Sequence, residues 1–508
     1  MALIQNSFIG SSLLALWGIL LGLWKESFLY SVFCRAGAAL CRGVEGSAIC
    51  SFLWREGGIP AAWPDSLSCR VLTGLLNLPC ALVKSIYKVG RNLWDGSLFF
   101  RLLTAFGRQG SLLLGLVILV MLVAPHSSWN NVYGFLGVVA VTALFVFGTA
   151  NSKDRLEVNL LSPYLVFFFA FICIAFVTSG SVSLSLRFFL FHATCLLIVL
   201  VLVSGVKRLE QLQTAMWLAE GGLLLASLYG CYQGVVGVAV VASQQDMTVN
   251  KGMPGRIYSF FDNPNNFAEI LVMLLPLLLA LFLNSKTWRG KLASLACLGA
   301  GLVAIGYTYS RSGWLGLALA VFVFLALQNW RIVPFAMVAV IVAIPFLPET
   351  IYNRFLTIGN MEDSSTRYRF AIYEATGALM KDHWIKGVGL GSDVMTKTFA
   401  TYPTMFDGNH PIHTHNNYLQ MFGELGVLGG LSYLAVVLYQ LKQGVKTFYA
   451  SENKALRNVL SAAVGSFCGI LLIGVAEYTW FYPRNLFFYW FLFGIIAVCV
   501  KLYKQEKN

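Results

Sequence analysis

Charged residues are scarce in this sequence. Asp, Glu, Lys and Arg account for only 12% of its 508 residues, whereas a soluble domain contains about 25%. Hydrophobic residues make up 57% of the chain. The deficit argues against soluble, disordered and nucleic-acid-binding proteins, although the formal net charge is +13. The sequence therefore predicts an integral membrane protein.

Several functional motifs are also missing. The chain has no Walker-type GxxxxGK[ST] loop, which would couple ATP to transport, and no Asp-x-Asp pair. Its eleven cysteines follow no metal-binding or disulfide spacing. We therefore expect free thiols and no disulfide framework.

Long apolar runs dominate what is present. A transmembrane helix needs about 20 apolar residues, and the runs predict an all-α, polytopic protein with twelve core spans. The runs fall near residues 110–124, 131–150, 160–178, 183–205, 213–241, 267–284, 292–309, 313–328, 332–347, 418–440, 458–480 and 484–502. They divide the chain into an N-terminal region (1–109), nine spans (110–347), one large extracytoplasmic loop (348–417) and three spans with a tail (418–508). Within the first region, residues 9–24 predict a membrane anchor, and residues 25–109 predict amphipathic helices on the inner membrane surface.

The distribution of basic residues predicts the orientation. Short loops that stay in the cytoplasm are enriched in Lys and Arg. With the N-terminal region inside, fifteen basic residues fall in six short segments on the same side. The opposite short loops hold only Arg187, Lys251, Arg256, Arg311 and Arg484. Both ends of the twelve-span core are then cytoplasmic, and the outer loop 348–417 is the one large enough to cap a substrate site.

Three of the six histidines lie in one hexapeptide, at the point where the long loop re-enters the membrane. They are His410, His413 and His415. The pKa of histidine suits a general base at this position. A metal site is the alternative, but neither HExxH nor paired carboxylates accompany the cluster.

The span that follows contains a carboxylate and four glycines. A carboxylate in a span is costly and usually faces a cavity or a partner, so both a functional and a structural role are open for Glu424. The glycines predict close helix packing of the small-xxx-small kind; they are Gly423, Gly426, Gly429 and Gly430.

Several arginines lie on the predicted outer side, although basic residues are otherwise concentrated in the predicted cytoplasmic loops. Arg256 precedes a span, Arg311 lies in a tight turn between two spans, and Arg369 lies in the long loop. Single arginines can extend to lipid headgroups. Several arginines converging beside histidines would bind a multiply charged anion, because guanidinium stays protonated and contacts phosphate bidentately. The segment Gly387–Gly391 (GVGLG) predicts a tight turn and not a dinucleotide loop, because no βαβ unit surrounds it.

One motif carries a family resemblance. His415-Asn416, followed after nine residues by Gly426-Val-Leu-Gly429-Gly430, resembles the His-(Asn/Ser/Gln)-x9-GxxGG pattern of the O-antigen ligase and polymerase superfamily. Supporting matches are Ser310-Arg311-Ser312, the Phe261–Asn265 segment, and Arg369-x-x-x-Tyr373 before the GVGLG turn. The motifs span about residues 255–430, and the topology extends the resemblance over 110–502. Trp384 departs from the proline that often precedes this turn.

The resemblance implies a class C glycosyltransferase-like enzyme in the bacterial cytoplasmic membrane. It would transfer a glycan from undecaprenyl pyrophosphate on the outer face, with no metal and no other cofactor. His415 would be the catalytic base and give inversion. Arg311 would be the second catalytic residue and would bind the pyrophosphate together with Arg256 and Arg369. Further substrate-site candidates are His413, Asn416, Tyr309 and Glu477.

Several functions share this donor. The leading one is a ligase that joins the glycan to a lipid A core or a comparable acceptor. A polymerase would extend the glycan itself, and an O-linked protein glycosyl ligase would use a Ser or Thr side chain. From another class, a small-anion transporter of the bicarbonate type needs polar residues near the bilayer midplane. Here nearly all such residues lie at the outer end, with Glu220 and Glu424 as exceptions. The expected partners are the lipid-linked donor, the acceptor and membrane lipids, with no nucleic acid.

Overall fold

The structure, a computed structural model, describes residues 8–47, 51, 54–241, 252–358 and 364–507. All regular secondary structure in these ranges is helical. The predicted all-α fold is therefore confirmed. Lys251, one of the basic residues used to predict the orientation, lies outside the described residues.

The chain divides into two compact units, residues 1–62 and 63–508. The described part of the first unit contains α1 (Phe8–Glu26), α2 (Phe28–Gly46) and the short α3 (Gly58–Ala62). The predicted anchor at residues 9–24 falls within α1, which is not among the described helices that are long and apolar enough to cross a membrane. Its anchoring role remains a prediction.

The second unit begins with four short helices, α4 (Leu67–Leu76), α5 (Leu78–Val89), α6 (Arg91–Gly96) and α7 (Leu98–Gly107). Asn77 exchanges two hydrogen bonds with the backbone of Leu156, at 2.8 and 2.9 Å. Lys84 Nζ donates to the carbonyl of Asp154 at 2.6 Å. These contacts join the short helices to the connection that follows the second predicted core span.

Fifteen further helices form the rest of this unit. They are α8 (Gly110–Val123), α9 (Asn131–Gly148), α10 (Pro163–Val177), α11 (Val182–Gly205), α12 (Leu209–Val236), α13 (Pro264–Asn284), α14 (Trp288–Tyr307), α15 (Arg311–Asn329), α16 (Val333–Ala343), α17 (Glu349–Leu356), α18 (Ser364–His383), α19 (Ser392–Phe399), α20 (Asn417–Ala450), α21 (Lys454–Ile473) and α22 (Pro483–Lys507). Each of the twelve predicted spans falls on one of these helices.

The protein is a polytopic membrane protein, but the count of twelve spans is not confirmed. Within the described residues, eight helices are long and apolar enough to cross a membrane, or up to ten if two bent pairs each form one span. One of the eight candidates joins α15 and α16 into Arg311–Phe346. Arg311, at its start, bonds to Thr357, just beyond its end. The chain therefore returns to the side from which α15 began.

The connections between helices fall into two groups, in the alternation that the basic residues predict. On one side, Arg484 donates to the carbonyls of Ala124 and Phe260, at 2.7 and 3.2 Å. On the other side, Lys501 donates to the carbonyls of Val203 and Val206, both at 2.7 Å. We call the first side the site face; it comprises the described parts of the connections 124–130, 178–181, 237–263, 308–310, 344–416 and 474–482.

Local capping explains where seven of the fifteen helices begin. A Ser, Thr or Asn directly before an apolar run accepts a hydrogen bond from an N–H group of the first turn, and these residue types are the preferred N-caps. In two cases proline follows at the first helical position, where its missing N–H costs nothing. The caps are Asn130, Ser162, Asn263, Thr287, Ser310, Asn416 and Asn453.

The described parts of the long loop 348–417 form a folded cover and contain α17, α18 and α19. The cover has its own small apolar core, formed by Leu379, Val388, Val394, Met395 and Phe399. Outside this core, Arg187 of α11 forms an ion pair of 2.6 Å with Asp393. This exposed ion pair links the cover to the bundle on the site face.

Helix α20 is broken at Gly426, where φ is 71° and ψ is −176°. The backbone groups released by the break pair with residues 384–391, which we call the strap. Val388 N–H donates to the carbonyl of Gly423 at 2.9 Å, and Val427 N–H donates to the carbonyl of Trp384 at 2.7 Å. The strap and the broken part of α20 therefore provide the hydrogen-bond partners for each other's backbone N–H and carbonyl groups.

The glycines around this break do not have the role that the sequence predicts. A Cβ atom on Gly426 would overlap the carbonyl of Ile385 in the strap, and its φ is one that other residues rarely adopt. At Gly429 and Gly430 the nearest obstacles are side chains of α20 itself. The prediction of small-xxx-small packing is therefore wrong for these three glycines. The GVGLG segment does form a turn, since its three glycines all have positive φ.

Candidate active site

His415 and Glu477 form the centre of the site. His415 lies two residues before α20, and Glu477 lies in the connection between α21 and α22. Nδ1 of His415 is 3.1 Å from Oε2 of Glu477, and the Glu477 side chain is only 8% exposed. A carboxylate at this distance holds the imidazole proton on Nδ1 and leaves Nε2 as the acceptor. Nε2 is therefore the atom that can take a proton from a substrate.

Glu477 is surrounded by donors. Besides His415, Arg369 forms an ion pair with its Oε1, and Asn265 Nδ2 donates to the same oxygen at 3.1 Å. Burial raises the pKa of Glu477, but the charge of Arg369 and the hydrogen bond from His415 outweigh this effect and bring the pKa to about 2. Glu477 is thus a carboxylate throughout the physiological pH range.

The backbone of His415 is held in an uncommon conformation. Its φ is +47°, in the left-handed region that residues other than glycine rarely adopt. Asn416 caps α20 and donates from Nδ2 to the carbonyl of Val475 at 2.8 Å. The Tyr373 hydroxyl lies 3.3 Å from the carbonyl of His415 and 3.2 Å from that of Val475. Asn416 and Tyr373 therefore maintain the strain that aims the imidazole, as is common at functional sites.

His413 supports His415 from behind. Its Nδ1 accepts a hydrogen bond from the N–H of His415 at 3.1 Å, and the two rings lie 4.2 Å apart between centroids. Its other side packs on Phe481, at 4.5 Å. Burial, and secondarily the nearby His415, lower the pKa of His413 to about 3. His413 therefore stays neutral and forms part of the wall of the site.

Arg256 approaches from the connection before α13. Its Nε donates to the carbonyl of Thr308 at 2.7 Å, and its Nη2 donates to Oδ1 of Asn265 at 2.5 Å. Asn265 thus links Arg256 to Glu477. Burial and the charge of Arg354 lower the pKa of Arg256 to about 9, so its guanidinium remains positive at neutral pH.

Arg311 and Tyr309 occupy the turn between α14 and α15. Ser310, between them, caps α15. Arg311 Nη1 donates to the carbonyl of Thr357 at 2.7 Å. Tyr309 is buried, has a φ of +48°, and places its hydroxyl 3.3 Å from Oγ1 of Thr350. Tyr309 therefore anchors the turn against α17, and its side chain does not contact His415 or Glu477 through any described hydrogen bond.

Sequence reasoning missed Arg354. It lies in α17, is 6% exposed, and donates from Nε to the carbonyl of Tyr309 at 3.4 Å. Arg256 interacts electrostatically with Arg311, Arg354 and Arg369, so four guanidinium groups converge here. Asn265 was also missed as a site residue, although it belongs to the Phe-x-Asn-Pro-Asn segment.

Two other charged residues prove to be structural. Glu424 accepts from the N–H of Gly391 at 2.8 Å and from Nε2 of Gln420 at 2.7 Å, so its carboxylate ties α20 to the strap. Arg484 is fully buried, donates to backbone carbonyls and lies over aromatic rings, including that of Phe261 at 4.7 Å. Their contacts settle the open choice for Glu424 in favour of structure.

These features define a class: a polytopic helical membrane protein with a His–Glu pair and clustered arginines under a folded cover. Residues 293–434 match the model of the family described as O-antigen ligase. The match confirms the resemblance predicted from the motifs and supports a function of the O-antigen ligase and polymerase type. It contains Arg311, Arg354, Arg369 and His415, whereas Arg256 and Glu477 lie outside it. No curated protein matches the chain.

Proposed function

We propose that this protein transfers a glycan from undecaprenyl pyrophosphate to an acceptor, without metal, on the outer face of the bacterial inner membrane. The observation that carries the proposal is the 3.1 Å contact between His415 and Glu477 beside converging arginines. A base poised by a carboxylate can activate a hydroxyl. Guanidinium groups can hold a diphosphate and stabilise the charge that develops as it leaves.

In the proposed reaction, Nε2 of His415 removes the proton of the acceptor hydroxyl. The hydroxyl oxygen attacks the anomeric carbon and forms the new glycosidic bond. The bond from that carbon to the pyrophosphate oxygen breaks, and the electron pair departs with the diphosphate. Glu477 stabilises the imidazolium, and Arg256, Arg311 and Arg369 stabilise the leaving group. Attack opposite to the leaving group inverts the anomeric configuration.

The site's position favours transfer over transport. The His–Glu pair and all four arginines lie on the site face, in connections or at helix ends, whereas transporter sites lie near the bilayer midplane. In the orientation predicted from the basic residues, this face is periplasmic and both ends of the twelve-span core are cytoplasmic. Nucleotide sugars need not be available on the periplasmic side, so a lipid-linked glycan is the more suitable donor.

A ligase, a polymerase and a protein glycosyl ligase differ in the acceptor that they use. We place the protein as a ligase for a lipid A core or similar acceptor. A polymerase would join the same glycan to another lipid-linked glycan, and a protein ligase would join it to a hydroxyl side chain. All three use the same donor end of the site.

The experiment is a transfer assay with purified protein, undecaprenyl-pyrophosphate glycan and each candidate acceptor, in the presence of EDTA. We expect transfer by the wild type and losses of at least about 100-fold in His415→Gln, the scale of general-base catalysis, with a large loss also in Arg311→Gln. His383→Gln and Arg367→Gln on the same cover are the matched controls. A requirement for divalent metal, or full activity in His415→Gln, would overturn the mechanism. The candidate acceptor that becomes glycosylated identifies the acceptor class.

A further inference from the structure

Helices α4, α5 and α7 leave a long apolar surface exposed. Eleven Leu, Ile, Val and Phe side chains in these three helices are each at least half exposed. Most recur at intervals of three or four residues, as Leu67, Val71 and Leu75 do in α4, so they form a stripe along one side of each helix. An apolar patch of this length is rare on a surface that faces water, and it indicates contact with a membrane or a partner.

Contacts with one connection hold these helices on the side of the bundle opposite to the site face. Asn77, between α4 and α5, and Lys84, within α5, both bond to backbone groups of residues 154–156. After α7, Arg108 Nη2 donates to Oδ1 of Asn151 at 2.5 Å. A segment that crossed the membrane would carry α5 away from this connection. The three helices therefore stay at one surface of the bundle.

Helix α7 lies close to the membrane plane. It is bent by 72° from α8, the helix on which the first predicted core span falls, and a helix at this angle to a span runs along the membrane surface. An aromatic cluster joins α7 to α5, because the Phe100 ring lies 5.6 Å from that of Tyr87 and 5.5 Å from that of Trp94 between centroids. Tyr and Trp are typical of the membrane–water interface. The exposed stripes thus suit the boundary between headgroups and acyl chains.

Each of the three helices also carries an exposed basic residue at the edge of its stripe. Arg70, Lys88 and Arg101 each directly precede an exposed apolar residue. Among the described residues, their side chains have no hydrogen-bond or ion-pair partner. Residues 63–109 contain six basic and two acidic residues in all. This excess of positive charge complements an anionic lipid surface.

We propose that α4, α5 and α7 form a lipid platform that binds anionic phospholipid of the adjacent leaflet. The stripes lie among the acyl chains, and Arg70, Lys88 and Arg101 contact the headgroups. In the orientation predicted from the basic residues, this leaflet is the cytoplasmic one. The inference is independent of the proposed function, and it assigns a ligand to a region outside the family match at residues 293–434.

The test titrates the purified full-length protein in detergent with phosphatidylglycerol or with phosphatidylcholine and follows the thermal unfolding midpoint. A lipid that binds the folded protein raises this midpoint with concentration, which gives an apparent dissociation constant. The platform variant removes the three charges: Arg70→Gln/Lys88→Gln/Arg101→Gln. The control variant removes three charges at the start of α14, on the same side of the bundle: Lys286→Gln/Arg289→Gln/Lys291→Gln.

We expect the wild type to bind phosphatidylglycerol more tightly than phosphatidylcholine. In the platform variant the constant for phosphatidylglycerol should rise at least about fivefold, the effect of losing one Lys or Arg beside an anionic surface. The constant for phosphatidylcholine should change little, and the control variant should keep the wild-type preference. Without added lipid, the platform variant should unfold at the wild-type midpoint, because its three charges have no partner among the described residues.

Equal binding of the two lipids by the wild type, or an unchanged preference in the platform variant, would overturn the inference. An equal loss in the control variant would also overturn it, because the lipid would then bind the basic side as a whole. A lower midpoint without lipid, together with a parallel loss of both affinities, would indicate a structural role and refute it. If the platform variant does not fold, Arg70→Gln and Arg101→Gln decide singly: an unchanged phosphatidylglycerol constant in both refutes the inference.

Discussion

Replacement of Glu477 by glutamine tests the centre of the proposed mechanism. The substitution keeps the shape of the side chain and removes the charge that His415 and Arg369 both contact. An amide can present its NH₂ group to Nδ1 and so favour the wrong tautomer of the imidazole. In a Ser-His-Asp triad the equivalent change lowers kcat by about 10⁴, so we expect a loss of about 10³ to 10⁴ here.

The same substitution should also destabilise the protein, because Arg369 loses its buried counter-charge. Breaking one side of a buried ion pair costs about 3–5 kcal/mol. Stability must therefore be measured beside activity, by thermal unfolding in the same detergent. Glu477→Asp retains the charge and should recover much of the stability, although its shorter side chain moves the carboxylate away from Nδ1.

The assay compares kcat for glycan transfer with saturating donor and acceptor. Glu374→Gln is the matched control, because Glu374 is exposed on α18. We expect Glu374→Gln to retain wild-type kcat. A folded Glu477→Gln protein with kcat within about threefold of the wild type would show that the carboxylate does not orient the base.

Three further predictions concern the supports of the site. The pKa of His413 is lowered from 6.5 to about 3 in the folded protein, so its contribution to stability is present above pH 6.5 and is lost as the pH falls toward 3. The free energy of unfolding should therefore differ less between pH 7 and pH 5 in His413→Gln than in the wild type. An equal difference would contradict the burial of a neutral imidazole. Gly426→Ala should lower the free energy of unfolding by more than about 1 kcal/mol, because φ is positive there and the new methyl group would overlap the carbonyl of Ile385. Gly377→Ala in α18 is the control; this glycine has open space around it, so the change should be neutral or stabilising. Similar unfolding midpoints for the two variants would refute the role of the break. Asn416→Ala should lower the free energy of unfolding by at least about 1 kcal/mol through the lost cap. Asn416→Asp should restore only part of this loss, because a carboxylate accepts hydrogen bonds at the cap but cannot donate to the carbonyl of Val475. Denaturant unfolding measures both variants; equal losses would show that the cap does not contribute.

The sequence predicts helix positions well because each apolar run ends at a polar cap or a charged connection. It also predicts which connections share a side, since the basic residues sort cleanly between short loops. It does not predict the number of spans. Helix α10 has 15 residues and α16 has 11, and whether such short helices cross a membrane depends on tilt and packing that composition does not encode.

The site is recovered in part, and the reason lies in the same charge rule. Arg256 and Arg311 stand out because basic residues are rare in short outer loops, so the orientation in the membrane does not account for them. Arg354 lies in a long loop, which is translocated largely regardless of charge, so its arginine carried no such signal. Glycines posed a related difficulty, because a sequence does not distinguish a glycine needed for positive φ from one needed for close packing.

The spacing of the His-Asn-x9-Gly motif now has a physical explanation. The nine residues between Asn416 and Gly426 form the first segment of α20, which spans about 14 Å at 1.5 Å per residue. At one end the Asn416 cap fixes the start of the segment beside His415. At the other end the strap pairs with the broken helix, and Glu424 accepts the N–H of Gly391. A helix turns by about 100° per residue, so adding or removing one residue between these anchors would swing His415 away from Glu477. The motif therefore specifies the length of a rigid support, and its glycine is as necessary to the aim of the imidazole as the asparagine is.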